Sequence, residues 1–403
     1  MEEKKVDVIL DGYIHIDTLS NIKKGDILIL YLISDRIIYF YQGEDVLSFL
    51  NKRNKIFLNN KLIGIYFPKK KLADDDYSNL SIFIFDNASN IPEKLIEKIK
   101  NTNAELVYLS LEKFKGNIRE FKKFKEIESK IGAISLRYLG LSGVTLEYLS
   151  NCSNLRFIDL SYSKNVSNIG LKYLKELFNL EILYLDDSYI TDLGIRHLVN
   201  LSKLKTLSIS GTPITDESLS YIGNLPNIQR LNMARTRLSG EGLKHLKNLE
   251  NLVEINLGGT FINNSSLYFL NNMYSIEILF LDANDITDEG LFYLKELTNL
   301  KELYLNETDV SGDGIIYLKN LKNLENLQLE GCNISDDDLK YLNLLENLKY
   351  LNLTLTDITD AGLKYLTELK NLQILNIEGT KITGKGLDYL QNYLPECVIL
   401  SDI

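Results

Sequence analysis

Residues 282–290 read DANDITDEG, with three aspartates, one glutamate and one asparagine in nine positions. Oxygen donors at that density are the chemistry of a hard cation such as calcium. A helix–loop–helix calcium loop starting at Asp282 needs an oxygen ligand at its fifth position, glycine at its sixth and glutamate at its twelfth. Those positions hold Ile286, Thr287 and Tyr293, so the loop fails on all of them. Other reactive types are sparse. The histidines are His15, His197 and His245, and the cysteines are Cys152, Cys332 and Cys397. Their spacing offers no zinc site, disulfide framework, Ser–His or Cys–His arrangement. The chain has no phosphate loop, no GxGxxG after a strand, no HExxH and no CxxC. The expectation is a protein that is not an enzyme, with no metal and no cofactor.

The elements that hold these residues are repeats. LEILYLDDSYITDLGIRHLVNLSK starts at Leu180, IEILFLDANDITDEGLFYLKELTN at Ile276 and LKYLNLTLTDITDAGLKYLTELKN at Leu348. Units starting at Leu180, Leu204, Ile228, Leu252, Ile276, Leu300, Leu324, Leu348 and Leu372 are 24 residues apart. The shared pattern is LxxLxLxxTxITDxGLxYLxxLxN. LxxLxL has a period of two and reads as a short strand. GLxYLxxL places apolar residues three and four apart, one face of a helix. The Thr or Ser between them, such as Thr191, Thr287 and Thr359, is placed to accept a helix-start N–H, and the Asp after it to face the positive helix end. Position 9 holds a small polar residue (Thr212, Thr236, Thr260, Thr308) that can satisfy buried backbone, so Cys332 there reads as a rung of that row. Position 18 holds a tyrosine in most units, and His197 and His245 fall in the same row as packing residues. DANDITDEG is then one coil of an array, with only Asp282 left facing outward from its strand.

This pattern resembles the leucine-rich repeat family over residues 136–400. The ITDxGL form is similar to the subclass seen in F-box-associated and many bacterial repeat proteins. The resemblance implies an α/β fold, a horseshoe solenoid with a parallel concave sheet and convex helices. Repeats bury their two faces only by stacking, which accounts for the length of the array. Residues 79–135 fit more loosely: LSIFIF and LVYLSL are strand-like, and IPEKLIEKIK (91–100) reads as a helix with Pro92 in its first turn. Residues 1–78 carry apolar runs such as DILILYLI and RIIYFYQ, divided by turn residues, and read as a small β-rich domain capping the solenoid. The expected organisation is 1–78, 79–135 and 136–403.

Net charge is −10, and residues 1–78 are balanced, so the excess falls on the repeats. An acidic array argues against nucleic-acid binding. No apolar stretch approaches the ~20 residues of a membrane helix, and no membrane partner is expected. A cytoplasmic, reduced setting is the expectation from the scattered cysteines and an N-terminus without a signal-peptide apolar core. Family resemblance makes the concave sheet the binding surface. Positions 3, 5, 7 and 8 predict two exposed apolar groups there, Phe157 with Ile182 and Tyr184, and Ile278 with Phe280 and Tyr304. Around them fall Asp186, Arg230, Arg235, Asp282, Glu302 and Tyr350. Grouped aromatics with a charged surround suit a protein or peptide partner of basic or mixed charge. The expected function is a non-enzymatic protein-interaction module. The alternatives are an adaptor in protein turnover, or a repeat scaffold carrying an N-terminal catalytic or small-ligand domain.

Overall fold

The computed structural model describes residues 88–101 and 106–402, except for the side chains of residues 94, 95 and 98, together with the backbones of six short strands that precede residue 88. The chain divides into two compact units, Met1–Leu183 and Tyr184–Ile403.

In the first unit, β1 (Val6–Ile9) and β2 (Tyr13–Ile16) form an antiparallel pair. A second antiparallel set contains β3 (Ile27–Leu32), β4 (Ile37–Gln42) and β5 (Ile65–Tyr66). The β-rich character expected of residues 1–78 is therefore present. The side chain of His15 and any pocket in this region lie outside the described residues. Next come β6 (Ser81–Ile84), β7 (Val107–Ser110), β8 (Ile131–Ser135) and β9 (Phe157–Asp159), which pair in order and in parallel. Parallel neighbours require a crossover. Helix α1 (Glu93–Asn101) makes one, and the 3₁₀ stretch Ile118–Glu126, which buries Phe121 and Phe124, makes the next. The loosely repeating segment thus builds genuine coils. Strand β10 (Ile182–Tyr184) falls at the division.

The second unit continues with β11 (Thr206–Ser208), β12 (Arg230–Asn232), β13 (Glu254–Asn256), β14 (Ile278–Phe280) and β15 (Glu302–Tyr304). Strands β16 (Asn326–Gln328), β17 (Tyr350–Asn352), β18 (Ile374–Asn376) and β19 (Val398–Leu400) complete it. The constant period fixes the register. Thr206 pairs with Arg230, Arg230 with Glu254, and so on to Ile374 with Val398, every pair 24 residues apart. Each repeat position therefore forms a straight row across the sheet. In the Ile276 coil, Ile276, Leu279, Leu281, Ile286, Leu291, Leu294 and Leu297 are all fully buried. Truncating one such leucine to alanine costs about 2–5 kcal/mol. No helix among the described residues is long and apolar enough to cross a membrane.

The sequence expectation for the TD dipeptide is met in part: Thr215, Ser311 and Thr359 accept the N–H two residues on, at 3.3, 3.3 and 3.2 Å. Thr287 sits in extended backbone before its helix but makes no capping bond with its side chain, and the same holds for Thr191 and Thr383. The hydroxyl faces the preceding coil. Asp288 accepts the Ser311 backbone N–H at 2.7 Å through Oδ1 and the Ser311 hydroxyl at 2.6 Å through Oδ2. Asp192 holds Thr215, Asp336 holds Thr359 and Asp360 holds Thr383 in the same bidentate way. The aspartates are therefore staples from coil to coil, in addition to facing a helix start. Where a glycine stands two residues after the staple position, it makes room for the staple of the coil before: a Cβ on Gly314 would overlap Asp288 Oδ1, and one on Gly362 or Gly386 would overlap Asp336 or Asp360 Oδ1.

A second row was not anticipated. The residue at position 8, just past the strand, takes a positive φ in coil after coil: Asp187 (52°), Gly211 (66°), Arg235 (55°), Gly259 (63°), Ala283 (51°), Glu307 (56°), Gly331 (66°), Leu355 (56°) and Gly379 (68°). The turn out of the sheet demands that conformation, which only glycine adopts freely.

Candidate binding face

Unit Tyr184–Ile403 presents two rows on its sheet face, Arg230-Glu254-Ile278-Glu302-Asn326-Tyr350-Ile374 and Asn232-Asn256-Phe280-Tyr304-Gln328-Asn352-Asn376. Phe280 and Tyr304 are neighbours in the second row, and their rings stack at 4.1 Å between centroids and 20° between planes. Both are half-buried, as is Ile278 beside them. The sequence-predicted group Ile278, Phe280 and Tyr304 is thus assembled on adjacent strands.

Polar side chains fix the stack. The Tyr304 hydroxyl donates to Glu302 Oε2 at 2.7 Å. Asn326 donates to the same carboxylate at 3.2 Å and to the Tyr304 oxygen at 3.1 Å, and Gln328 donates to Asn326 Oδ1 at 2.6 Å. Burial, together with the adjacent Glu302 carboxylate, raises the Tyr304 phenol above its ordinary range, so it stays a donor. On the other side, Arg230 Nε lies 3.4 Å from Glu254 Oε2. Burial pushes the Glu254 carboxyl up, opposed by Arg230, and pushes the Arg230 guanidinium down. Tyr350 turns its hydroxyl to Gln373 Oε1 at 3.3 Å.

Several predicted site residues carry structural duties. Asp282 Oδ1 accepts the Asn306 backbone N–H at 2.9 Å, and Asn306 Oδ1 accepts that of Glu330 at 2.8 Å. Asp186 does the same for Ser210, at 2.8 Å. Burial raises the Asp282 carboxyl, opposed by its bond to Asn306. Arg235 reaches across one coil to Asp187 at 3.2 Å. Gly211 lies between them, and a Cβ there would overlap the Asp187 carboxylate.

The other predicted group does not form an exposed patch. Phe157 is 0% and Ile182 7% exposed, and Tyr184 is half-buried. The cause is local: β7, β8 and β9 are buried at every residue, so both faces of those strands are covered and alternation no longer marks an open face. What sequence reasoning missed in this unit is a pair in the left-handed row. Tyr138 and Tyr162 stack at 4.8 Å and 12°, 43% and 39% exposed, with the Arg137 guanidinium 5.4 Å from the Tyr162 ring. Their common position in successive units was the available signal.

The reactive types behave as scaffold. All three cysteines are buried and free. Burial pushes the Cys152 thiol up to about 12 and the Cys397 thiol up to about 11, far from a nucleophile's range. Cys332 donates to the Leu305 carbonyl at 3.1 Å, as the position-9 threonines do within their own coils. His197 is half-buried, whereas His245 is exposed and is not a packing residue. Among the described residues, no group of three or more His, Cys, Asp or Glu could hold a metal ion.

No curated protein matches the chain in sequence. Solved structures do match its fold. An internalin, InlF, of Listeria monocytogenes aligns at 23% identity and TM-score 0.50 over 69% of this chain and 88% of that one. A chain of the mouse RP105/MD-1 complex aligns at 20% identity and TM-score 0.56 over 77% of this chain and 57% of that one. A family model described as a leucine-rich repeat region matches residues 134–393. With 24-residue coils, parallel strands in register and buried leucine rows on the page, the chain belongs to the leucine-rich repeat family.

Proposed function

We propose that the chain is a non-catalytic interaction module that takes an extended protein segment, one bearing lysine or arginine, on the face of β13–β17. The observation that carries this is the Phe280–Tyr304 stack and its surround. At positions 3, 5, 7 and 8 of the coils starting at Leu252 through Leu348, the charged residues are Glu254, Asp282, Glu302, Glu307 and Glu330, with no lysine or arginine among them. A rigid aromatic pair gives apolar contact at small entropic cost, and a guanidinium or ammonium group finds both a π-face and carboxylates. Electrostatic complementarity would select the partner and speed its arrival. The mouse RP105/MD-1 complex shows that this fold occurs in protein complexes, and the reading rests on this chain's own face. We place the module in the cytoplasm on its free, buried cysteines.

The test uses immobilised peptides that alternate apolar residues with lysine, and a matched series with glutamate in place of lysine. The full chain is expected to bind the lysine series, and the variant F280S/Y304S to lose at least tenfold in affinity with its thermal melt unchanged. Equal binding to the glutamate series, or binding indifferent to Phe280 and Tyr304, refutes the proposal.

A further inference from the structure

The convex side carries a departure from the repeat that the sheet face does not explain. Position 17 points outward from the helix. It holds Lys172, Arg196, Ser220, Lys244, Lys340, Lys364 and Asp388 in seven coils, but Tyr268, Phe292 and Ile316 in three consecutive ones. In three of the four coils with lysine there, it caps the tyrosine at position 18: Lys172 lies 4.9 Å from the Tyr173 centroid, and Lys340 and Lys364 each lie 4.7 Å from Tyr341 and Tyr365. In the three exceptional coils position 17 supplies no lysine, and the Phe292 ring instead carries Lys295, whose Nζ lies 3.8 Å from its centroid. Tyr268 meets Tyr293 edge-on at 5.9 Å, and Phe292 meets Tyr317 at 5.5 Å. Tyr268 is 56%, Phe292 44%, Ile316 39% and Tyr317 36% exposed. Three adjacent coils thus show a continuous aromatic surface in a row that is otherwise mainly polar. Grouped exposure of this kind marks an interaction surface.

Charge around the patch indicates its occupant. The helical turn at Asp288–Leu291 begins with the exposed Glu289 and runs on to Lys295, and the one at Gly312–Ile315 begins with Asp313 and runs on to Lys319. Glu296, one residue beyond Lys295, lies in the turn toward the next strand. Two of the three helical turns in the patch are therefore acidic near the start and basic at the end, and the third, through Tyr268, carries no charge at either end. A two-fold axis parallel to the stack of coils sets every helix antiparallel to its counterpart. Phe292 then faces Phe292, and Glu289 and Asp313 face the second copy's Lys295 and Lys319. We infer that this surface joins two copies of the chain in an isologous dimer, leaving the sheet face free. Aromatic side chains bury roughly 150–250 Å² each. At the exposures seen here, the patch offers on the order of 400 Å² per copy, about half a standard interface. The dimer forms and dissociates with concentration.

Sedimentation velocity of the full chain over about 1–500 μM tests this. The wild type is expected to shift from monomer to dimer, and Y268S/F292S to need at least tenfold more protein for the same shift. These side chains are exposed, and a matching thermal melt confirms folding. Two charge-swapped chains test the arrangement: E289K/D313K and K295E/K319E each repel their own copies and stay monomeric, whereas their mixture forms a heterodimer. A wild type monomeric throughout overturns the inference. So does a dimer insensitive to the aromatic changes, or a mixture no more associated than its components. None of these outcomes bears on the sheet-face reading, which peptide binding alone decides.

Discussion

Asp288, the sixth residue after Asp282 in the acidic run, offers the sharpest test of how the array is held. Its carboxylate accepts the Ser311 N–H at 2.7 Å and the Ser311 hydroxyl at 2.6 Å. Asp288→Ala removes both acceptors and leaves a half-buried donor pair without them. Hydrogen bonds to a charged group contribute about 1.5–3 kcal/mol each, and partial exposure discounts them, so a loss of about 2–3 kcal/mol is expected for the pair. Asp288→Asn should behave quite differently, because the chain already contains that solution. Asn264 occupies the same row, accepts the Thr287 N–H at 2.9 Å and donates to the Thr287 hydroxyl at 2.8 Å. The amide thus keeps both bonds with one reversed in direction, giving up only the charge at the helix start, about 0.5 kcal/mol. Urea unfolding followed by far-UV circular dichroism measures both variants. With m near ~3 kcal/mol/M, Asp288→Ala lowers the midpoint by roughly 0.7–1 M and Asp288→Asn by under about 0.3 M. Equal losses for the two variants would refute the staple, since the helix-dipole role alone treats them alike.

The other predictions use the same logic. Gly314→Ala should destabilise the wild type by at least about 1 kcal/mol through contact with Asp288, but cost less in the Asp288→Ala background, a coupling that a double-mutant cycle in urea reads directly. Gly211→Ala should break the Asp187–Arg235 ion pair and strain a left-handed residue, losing about 1–2 kcal/mol, whereas Arg235→Ala alone should lose under about 1 kcal/mol because the pair is largely exposed. Burial holds the folded Asp282 carboxyl above its unfolded value, so its favourable contribution is complete below the ordinary carboxylate range and is lost as pH rises through the folded value. The urea midpoint of Asp282→Asn should therefore gain on the wild type between about pH 4 and pH 7; a constant gap would sink the argument. Binding of a lysine peptide should weaken as pH falls through the raised titrations of Glu254 and Asp282, and titration calorimetry in buffers of different ionisation enthalpy should show proton release on binding.

Much of this was legible in the sequence because repetition turns a one-dimensional period into a three-dimensional register. The 24-residue step places Leu279, Leu303 and Leu327 side by side in the core, and places Phe280 beside Tyr304 on the face, with no further information needed. What period could not reveal was whether a face is open. Phe157 has the spacing of an exposed residue and is fully buried, because exposure depends on what packs above the strand. Nor could it tell a cap from a staple: a threonine before a helix suits both, and Thr215 and Thr359 serve both, whereas Thr287 makes no capping bond. The left-handed row left a readable trace, glycine at 211, 259, 331 and 379, yet it was masked by Arg235, Glu307 and Leu355 at equivalent places. The aromatic run at Tyr268, Phe292 and Ile316 was visible as a break in a polar row, but a helix-face reading absorbs it as ordinary variation.

The left-handed row also has a consequence for how this surface changes over generations. Each non-glycine residue there sits in a conformation that disfavours it by roughly 1 kcal/mol. Returning it to glycine relieves that strain, so the row holds a reserve from which new side chains can be tried one at a time without unfolding the array. Trials in neighbouring coils are not independent. Gly211 gives space to Asp187 and Arg235, and a Cβ on Gly379 would press on Leu355. A bulky residue becomes acceptable in one coil when the next gives way to glycine. Variation along this rim should therefore be correlated from coil to coil, with a spacing of 24 residues, while the leucines beneath it stay fixed.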